Sequence, residues 1–259
     1  MKALITGASS GMGRDMAYIL SERGYDIIAV ARRTDRLEQL KKELKTNVEV
    51  ISCDVSDEKE CRRLIERAGD IDILINNAGF GVFGDFCDND LDAELKLIDT
   101  NLKAVHILTK LYLKEFVKKD RGYILNVASA AAFFPGPLFG AYYASKSYVL
   151  RLSQSIAEEL RRKSSNVSIS VLCPGPVSTE FGQVANVSFG IKGKGISLES
   201  MDVARYAIDK MFKRKQVIVP GSMMKTAVFL RHILSDKILA RAVYNIQHKK
   251  CSTKEDKIQ

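Results

Sequence analysis

Short β-branched runs alternate with amphipathic stretches along most of this chain, and that alternation leaves few folds open. Lys2 to Thr6 reads as a strand, Gly11 to Arg23 as a helix closed by Gly24, Asp26 to Ala31 as a strand, Thr34 to Lys45 as a helix and Val48 to Ser52 as a strand. Ser56 to Ala68 reads as a helix with Ser56 as the expected N-cap. The pattern continues with a strand at Ile71 to Ile75, two helices over Leu91 to Lys118 and a strand at Tyr123 to Val127. A long helix at Gly140 to Lys163, a strand at Val167 to Leu172, a helix at Met201 to Phe212 and a short strand at Val217 to Val219 complete it. The strands are nearly unbroken apolar runs, as a sheet covered on both faces requires. The expected fold is α/β: a single doubly wound parallel sheet of about seven strands with helices on both faces. A chain of 259 residues is long enough to give that sheet one sizeable core.

Composition narrows the setting. Apolar residues at 46% and charged residues at 27% exclude a disordered or fibrous chain. The five cysteines form no C-x-x-C pair and no cluster with histidine, so neither a disulfide framework nor a metal site is expected, and the expected compartment is the cytoplasm. No apolar run is long enough to span a bilayer. The net charge of +9 suits phosphorylated ligands, anionic lipid or nucleic acid. No nucleic-acid-reading motif accompanies it, and nucleic acid is not an expected partner.

The first strand runs straight into Thr6-Gly7-Ala8-Ser9-Ser10-Gly11-Met12-Gly13, where the first helix begins. A glycine turn there lets backbone approach a diphosphate, and the helix start supplies unpaired N–H donors and a positive dipole end. The same letters contain G-x-S-x-G, the nucleophile elbow of hydrolases, in Gly7 to Gly11. An elbow needs earlier strands and a preceding loop for its oxyanion hole, and only six residues precede Gly7. The late histidines, His232 and His248, fall in a basic tail, so hydrolysis is disfavoured.

Further landmarks follow in order. Asn76-Asn77-Ala78-Gly79 ends strand four, Asn101 lies in a helix, Ser129 follows strand five, Tyr142-x-x-x-Lys146 comes next, and Pro174-Gly175 closes strand six. With the glycine turn, this ordered set resembles the short-chain dehydrogenase/reductase family over residues 1 to about 220. The resemblance implies a Rossmann-type sheet and an oxidoreductase that moves a hydride between a nicotinamide dinucleotide and a carbonyl or alcohol carbon. It places Gly7, Ser9, Ser10, Gly11, Met12 and Gly13 around the diphosphate. It assigns Asn77, Ala78, Gly79, Pro174, Gly175, Val177 and Thr179 to the cofactor, together with Tyr142 and Lys146. It also implies a homodimer or homotetramer paired through the helices at Leu91–Lys118 and Gly140–Lys163.

The chemistry accounts for the same residues. Carbonyl reduction leaves charge on oxygen, and an acid must protonate it. A phenol does so, but its ordinary pKa near 10 is high for a group that also acts as base, and a neighbouring cation lowers it. Tyr142 and Lys146 are four apart on an expected helix and so share a face. Ser129 is placed to hydrogen-bond the substrate oxygen, and by resemblance Asn101 holds a water that extends the relay from Lys146. Tyr143, three residues from Lys146, is a rival to Tyr142 by spacing alone; its interval from Ser129 makes it core or pocket wall instead.

Strand two ends Val30-Ala31-Arg32-Arg33. A carboxylate at that end would bind the adenosine 2′-hydroxyl, whereas guanidinium groups suit a 2′-phosphate. NADP(H) is the expected cofactor, with Arg32 ahead of Arg33 as its phosphate ligand. Asp54-Val55 after strand three resembles the adenine-binding step of the family.

Thr179 to Leu198 resembles a substrate lid and carries Phe181, Val184, Val187, Phe189 and Ile191. With Phe133, Phe134, Leu138 and Phe139 it points to an apolar carbonyl or alcohol substrate. Beyond Gly221 no family motif occurs, and residues 221–259 read as a basic amphipathic extension. Within it, 223–250 fits peripheral contact with anionic membrane, cover for the cleft, or a partner surface. A catalytically silent dinucleotide-binding regulator or scaffold is the alternative function.

Overall fold

The computed structural model describes residues 1–184, 197–231 and 233–255. The elements run β1 (Lys2–Thr6), α1 (Gly11–Glu22), β2 (Asp26–Ala31), α2 (Thr34–Glu43), β3 (Val48–Ser52), α3 (Glu58–Ala68) and β4 (Ile73–Asn76). Next come α4 (Leu91–Ile98), a π-helical turn (Asp99–Lys103), α5 (Ala104–Lys119), β5 (Gly122–Val127), a 3₁₀ turn (Ala130–Phe133), α6 (Gly140–Arg162) and β6 (Val167–Leu172). The chain continues with β7 (Val177–Ser178), the single turn α7 (Phe181–Val184), β8 (Leu198–Glu199), α8 (Ser200–Phe212), β9 (Val217–Ile218), α9 (Ser222–Leu230) and α10 (Asp236–Glu255).

The main sheet has seven strands in the order β3-β2-β1-β4-β5-β6-β9, all parallel. Alternation along the strands divides the core. Ala3, Ile5, Ile27, Ala29, Ile73 and Ile75 pack with Met16 and Leu20 of α1 and Ala207 and Met211 of α8. Leu4, Ile28, Val30, Leu74 and Ile124 face the other way, onto Leu64 of α3 and Leu108, Tyr112 and Phe116 of α5. Both faces are therefore dry, which is why these strands lack polar alternation.

Strand order reverses direction at β1, with β2 and β3 added on one side and β4 to β6 on the other. The connections leave the carboxyl ends of β1 and β4 on opposite faces, and a crevice opens between them. Asp57, not Ser56, caps α3: its carboxylate accepts from the backbone N–H of Lys59 and Glu60, while the Ser56 hydroxyl donates to Asp54. Strand four begins at Ile73 rather than Ile71 and extends to Asn76, which pairs with Asn126. The two helices over 91–119 join through the π turn.

β7 and β8 form a separate two-stranded ribbon, with Val177 opposite Leu198 and Ser178 opposite Glu199. Val187, Phe189, Ile191 and also His232 lie outside the described residues. The tail forms two helices. Among the described residues, no helix is long and apolar enough to cross a membrane.

Candidate active site

The crevice is lined on one side by the glycine turn. Gly7 and Gly11 have positive φ of +68° and +52°. A Cβ on Gly13 would lie 2.4 Å from the Gly7 carbonyl oxygen and from Asn77 Nδ2, so no other residue fits there without moving backbone. Ser10 stands at the start of α1 without its side chain capping the helix, and no acidic residue occupies the first turn. The turn thus presents uncapped N–H donors and a positive dipole end, which fit the diphosphate of a dinucleotide.

β1 and β4 are tied together where the crevice opens. The Thr6 hydroxyl accepts from the N–H groups of Asn77 and Ala78 at 3.0 and 3.1 Å, and Asn77 Nδ2 donates to the carbonyls of Thr6 and Gly7. Asn76 points into the sheet instead. Its amide donates to Asn126 Oδ1 at 2.8 Å and to the Thr109 hydroxyl, and Asn126 donates on to Ser153. This buried chain fixes β4, β5, α5 and α6 behind the site.

Tyr142, Lys146, Ser129 and Asn101 converge at the same end of the sheet. Lys146 is buried, donates to the Val127 carbonyl at 3.0 Å and lies 5.7 Å from the centre of the Tyr142 ring. Ser129 accepts from the Ala131 N–H at 3.1 Å, which holds its hydroxyl at the end of β5. Asn101 is fully buried in the π turn; its side chain accepts from Phe80 N–H, donates to Phe80 carbonyl and donates to the Ser145 hydroxyl. The extra residue of a π turn re-aims side chains without ending the rod, and such turns gather at functional sites. A Cβ on Gly79 would meet Asn101 Oδ1 at 2.9 Å and Lys146 Nζ at 3.3 Å, so Gly79 keeps open the space next to both polar groups.

Burial pushes the Tyr142 phenol above its ordinary range, with a hydrogen bond to Ser129 opposing the shift. Burial pushes Lys146 the other way, down to about 8. Between about pH 8 and pH 10 the unfolded chain therefore carries a proton on Lys146 that the folded chain has released, so this group's contribution to stability rises with pH in that window. Denaturant unfolding of the ligand-free protein and of Lys146→Met at pH 7.5 and 9.5 tests this. The variant's relative advantage should shrink at the higher pH; a constant difference would contradict a buried, shifted lysine.

The two arginines after β2 diverge. Arg33 Nη2 donates to Ser10 Oγ at 2.7 Å and Ser9 Oγ at 3.2 Å, on the glycine turn. Arg32 faces Asp54 at 3.7 Å, and Lys96 faces the same carboxylate at 3.6 Å. Partial burial works against the charge of Asp54, but the hydrogen bonds from Ser56, with Arg32 and Lys96 nearby, hold its carboxyl below the usual range. Val55, beside it, is buried against the α3 face of the core. Thr179 lies against Gly11 and Met224 against Gly175, which brings the segment after β6 over the turn. Val177 packs partly buried on the sheet core.

A sequence model described as short chain dehydrogenase matches residues 1–187. The chain belongs to the short-chain dehydrogenase family. It is an oxidoreductase of that family and binds a dinucleotide. The 3-oxoacyl-[acyl-carrier-protein] reductase of Rickettsia conorii is 31% identical over 189 residues, covering 71% of this chain and 76% of that protein. A short-chain dehydrogenase from Sphingobium yanoikuyae, solved with NADPH, superposes with a TM-score of 0.80 at 28% identity, over 89% of this chain and 93% of that one. A family member from Burkholderia phymatum, solved with NAD, has a TM-score of 0.81 at 24% identity and covers 90% and 92%.

In this dehydrogenase the mouth of the crevice is aromatic. Phe139 stacks on Tyr142 with centroids 4.5 Å apart, Phe181 lies 5.4 Å from Tyr142, and Phe83 packs edge-on against Phe139. Phe133 packs elsewhere, onto the cluster of Val105, Val149 and Val171. Tyr143 joins this cluster edge-on, 6.0 Å from Phe139, and its hydroxyl accepts from Gln247 of α10 at 3.2 Å. Residues outside the sequence motifs also reach the site. Phe80 and Phe83 come from the loop after β4, and Arg36 pairs with Glu180, which also binds Arg33. The run Arg32-Arg33-x-x-Arg36 carried a signal for Arg36, since a helix residue three after Arg33 shares its face. Nothing in the sequence pattern singled out Glu180.

Proposed function

We propose that this dehydrogenase exchanges a hydride between NADP(H) and the carbonyl or secondary-alcohol carbon of an apolar small molecule, with Tyr142 as the general acid and base. The observation that carries the reading is the convergence of Tyr142, Ser129 and a buried Lys146 beside the glycine crevice. The bound nicotinamide supplies or accepts the hydride. In reduction, Ser129 donates a hydrogen bond to the substrate oxygen and Tyr142 gives it the proton. A phenol raised by burial is neutral at pH 7, the form this step needs. In oxidation Tyr142 takes the proton back, and the charge of Lys146 next to its ring stabilises the phenolate. Asn101, fixed on both sides by Phe80, borders Lys146 across Gly79, and by the family resemblance it would hold the water that extends the relay from Lys146.

The glycine turn with Asn77, Ala78, Gly79, Thr179 and the Pro174-Gly175 step forms the cofactor's bed in this reading, and Ser9, Ser10, Met12 and Asp54 border it. Preference for the 2′-phosphate rests on Arg33 at the Ser9–Ser10 turn and on the absence of a carboxylate at Ala31. Geometry favours Arg33 over Arg32, because Arg32 is turned to Asp54. The Phe139–Tyr142–Phe181 cluster supports an apolar substrate. A homodimer or homotetramer is expected to pair through α4–α5, where Leu91, Leu95 and Val117 are exposed, and through α6. A silent regulator has no need of a buried lysine aimed at a tyrosine ring, since a buried charge is costly to keep.

The direct test is NADPH oxidation by purified protein against ketones, aldehydes and 3-oxoacyl thioesters. Turnover with any of these supports the reading. Tight NADPH binding with no turnover across the panel favours the regulator, and no binding of either dinucleotide overturns the assignment.

A further inference from the structure

The tail helices pack with one face and leave an ordered apolar face outside. Among the described residues of α10, Leu239 and Gln247 are buried, eight apart on one side. Gln247 holds the Tyr143 hydroxyl, and Met224 of α9 lies against Gly175, so the pair is seated beside the site. On a second row of α10, Ile238, Ala242 and Ile246 repeat every fourth residue and are all exposed, the two large ones at 51% and 58%. Ile233, in the turn that joins α9 to α10, is 71% exposed. Next to this row, Lys237 and Arg241 are exposed, again four apart, and Asp236 is the sole acidic residue between Ser222 and Lys250.

We propose that this face of α9–α10 rests on an anionic lipid surface. The two rows explain the choice. A helix whose outward side joins an apolar stripe to a cationic stripe matches the bilayer interface, where acyl chains take the first and phosphate groups the second. The long basic side chains lie along the apolar row and keep their charges at headgroup level. A second copy of the chain suits the face less well, because two-fold pairing of the stripes brings Lys237 and Arg241 near their own symmetry mates with no acidic row to meet them. Since α10 touches Tyr143, the residue after Tyr142, docking sets the mouth of the site near the membrane plane. An apolar substrate would enter from there, a consequence that rests on the proposed function; the docking itself does not.

Flotation of the full chain with vesicles tests the proposal without any use of activity. With phosphatidylcholine vesicles containing phosphatidylglycerol, the protein should float at low salt and be released at high salt, and it should not float with phosphatidylcholine alone. The double variant Lys237→Glu/Arg241→Glu should weaken binding by about 30-fold or more, since each basic residue near the surface contributes about fivefold. The double variant Ile238→Glu/Ile246→Glu should abolish flotation with an unchanged thermal melt, since both side chains are exposed. Wild-type protein that stays unbound to anionic vesicles overturns the proposal, as does undiminished binding by either variant or equal binding to neutral vesicles. Self-association that depends on Ile238 and Ile246, without vesicle binding, gives the face to a second copy instead.

Discussion

Tyr142→Phe should lower kcat by about 10²- to 10⁴-fold, the usual loss when a positioned acid is removed, while NADPH affinity changes little. The variant isolates the hydroxyl. The ring of Tyr142 is held by Phe139 and Phe181, and phenylalanine keeps those contacts. The glycine turn, Asn77 and Arg33 lie on other elements and do not depend on the phenol. The control is Tyr143→Phe. Its hydroxyl faces Gln247, so removal costs one partly buried hydrogen bond and leaves kcat within a small factor. Stopped-flow reduction with saturating NADPH and fluorescence titration of the cofactor measure the two quantities separately. Retained turnover in Tyr142→Phe, or loss in Tyr143→Phe alone, would move the acid to another group. Equal loss of binding and turnover in Tyr142→Phe would mean that the ring shapes the cleft rather than moving the proton.

The sheet was legible because burial on both faces leaves a plain signature: Ile27, Ile28, Ala29 and Val30 have no polar residue among them, and β1, β2, β3 and β6 begin and end where the sequence pattern placed them. Tyr142 and Lys146 share a helix face by their spacing alone, whereas Ser129 and Asn101 stood out only through the ordered motifs of the family they resemble. What was not legible depends on contacts made at a distance. Ser56 and Asp57 are both good capping residues, and the choice between them was made by Asp54, which takes the Ser56 hydroxyl. The joint between α4 and α5 looks like ordinary helix in sequence; only the buried bonds of Asn101 to the Phe80 backbone show why it widens into a π turn. Adjacent arginines look alike until the fold turns one to Asp54 and the other to Ser9 and Ser10. Gln247 sits in a tail without a family motif, and its seat depends on Tyr143, 104 residues away.

Arg33→Ala should weaken NADPH by about 10- to 150-fold, the span of a charge-assisted hydrogen bond of about 1.5–3 kcal/mol, and leave NADH nearly unchanged. Arg33 is the guanidinium that reaches the turn, so the change should track the 2′-phosphate alone. Arg32→Ala should behave differently. It removes a partner of Asp54, at 3.7 Å, and so should affect NADPH and NADH alike and modestly. Glu180 supplies the opposing sign. Its carboxylate lies 2.7 Å from Arg36 and 3.0 Å from Arg33, where a 2′-phosphate bound by Arg33 would meet a like charge. Arg36 first, and Arg33 with it, hold that carboxyl below its usual range, so it is charged at any working pH. Glu180→Gln should therefore tighten NADPH and not NADH, and the gain should disappear in the Arg33→Ala background, because the two residues act on one phosphate. Equal losses for both dinucleotides in Arg33→Ala would remove the phosphate assignment. A loss of NADPH affinity in Glu180→Gln would show that the carboxylate orients the arginines for the phosphate rather than competing with it.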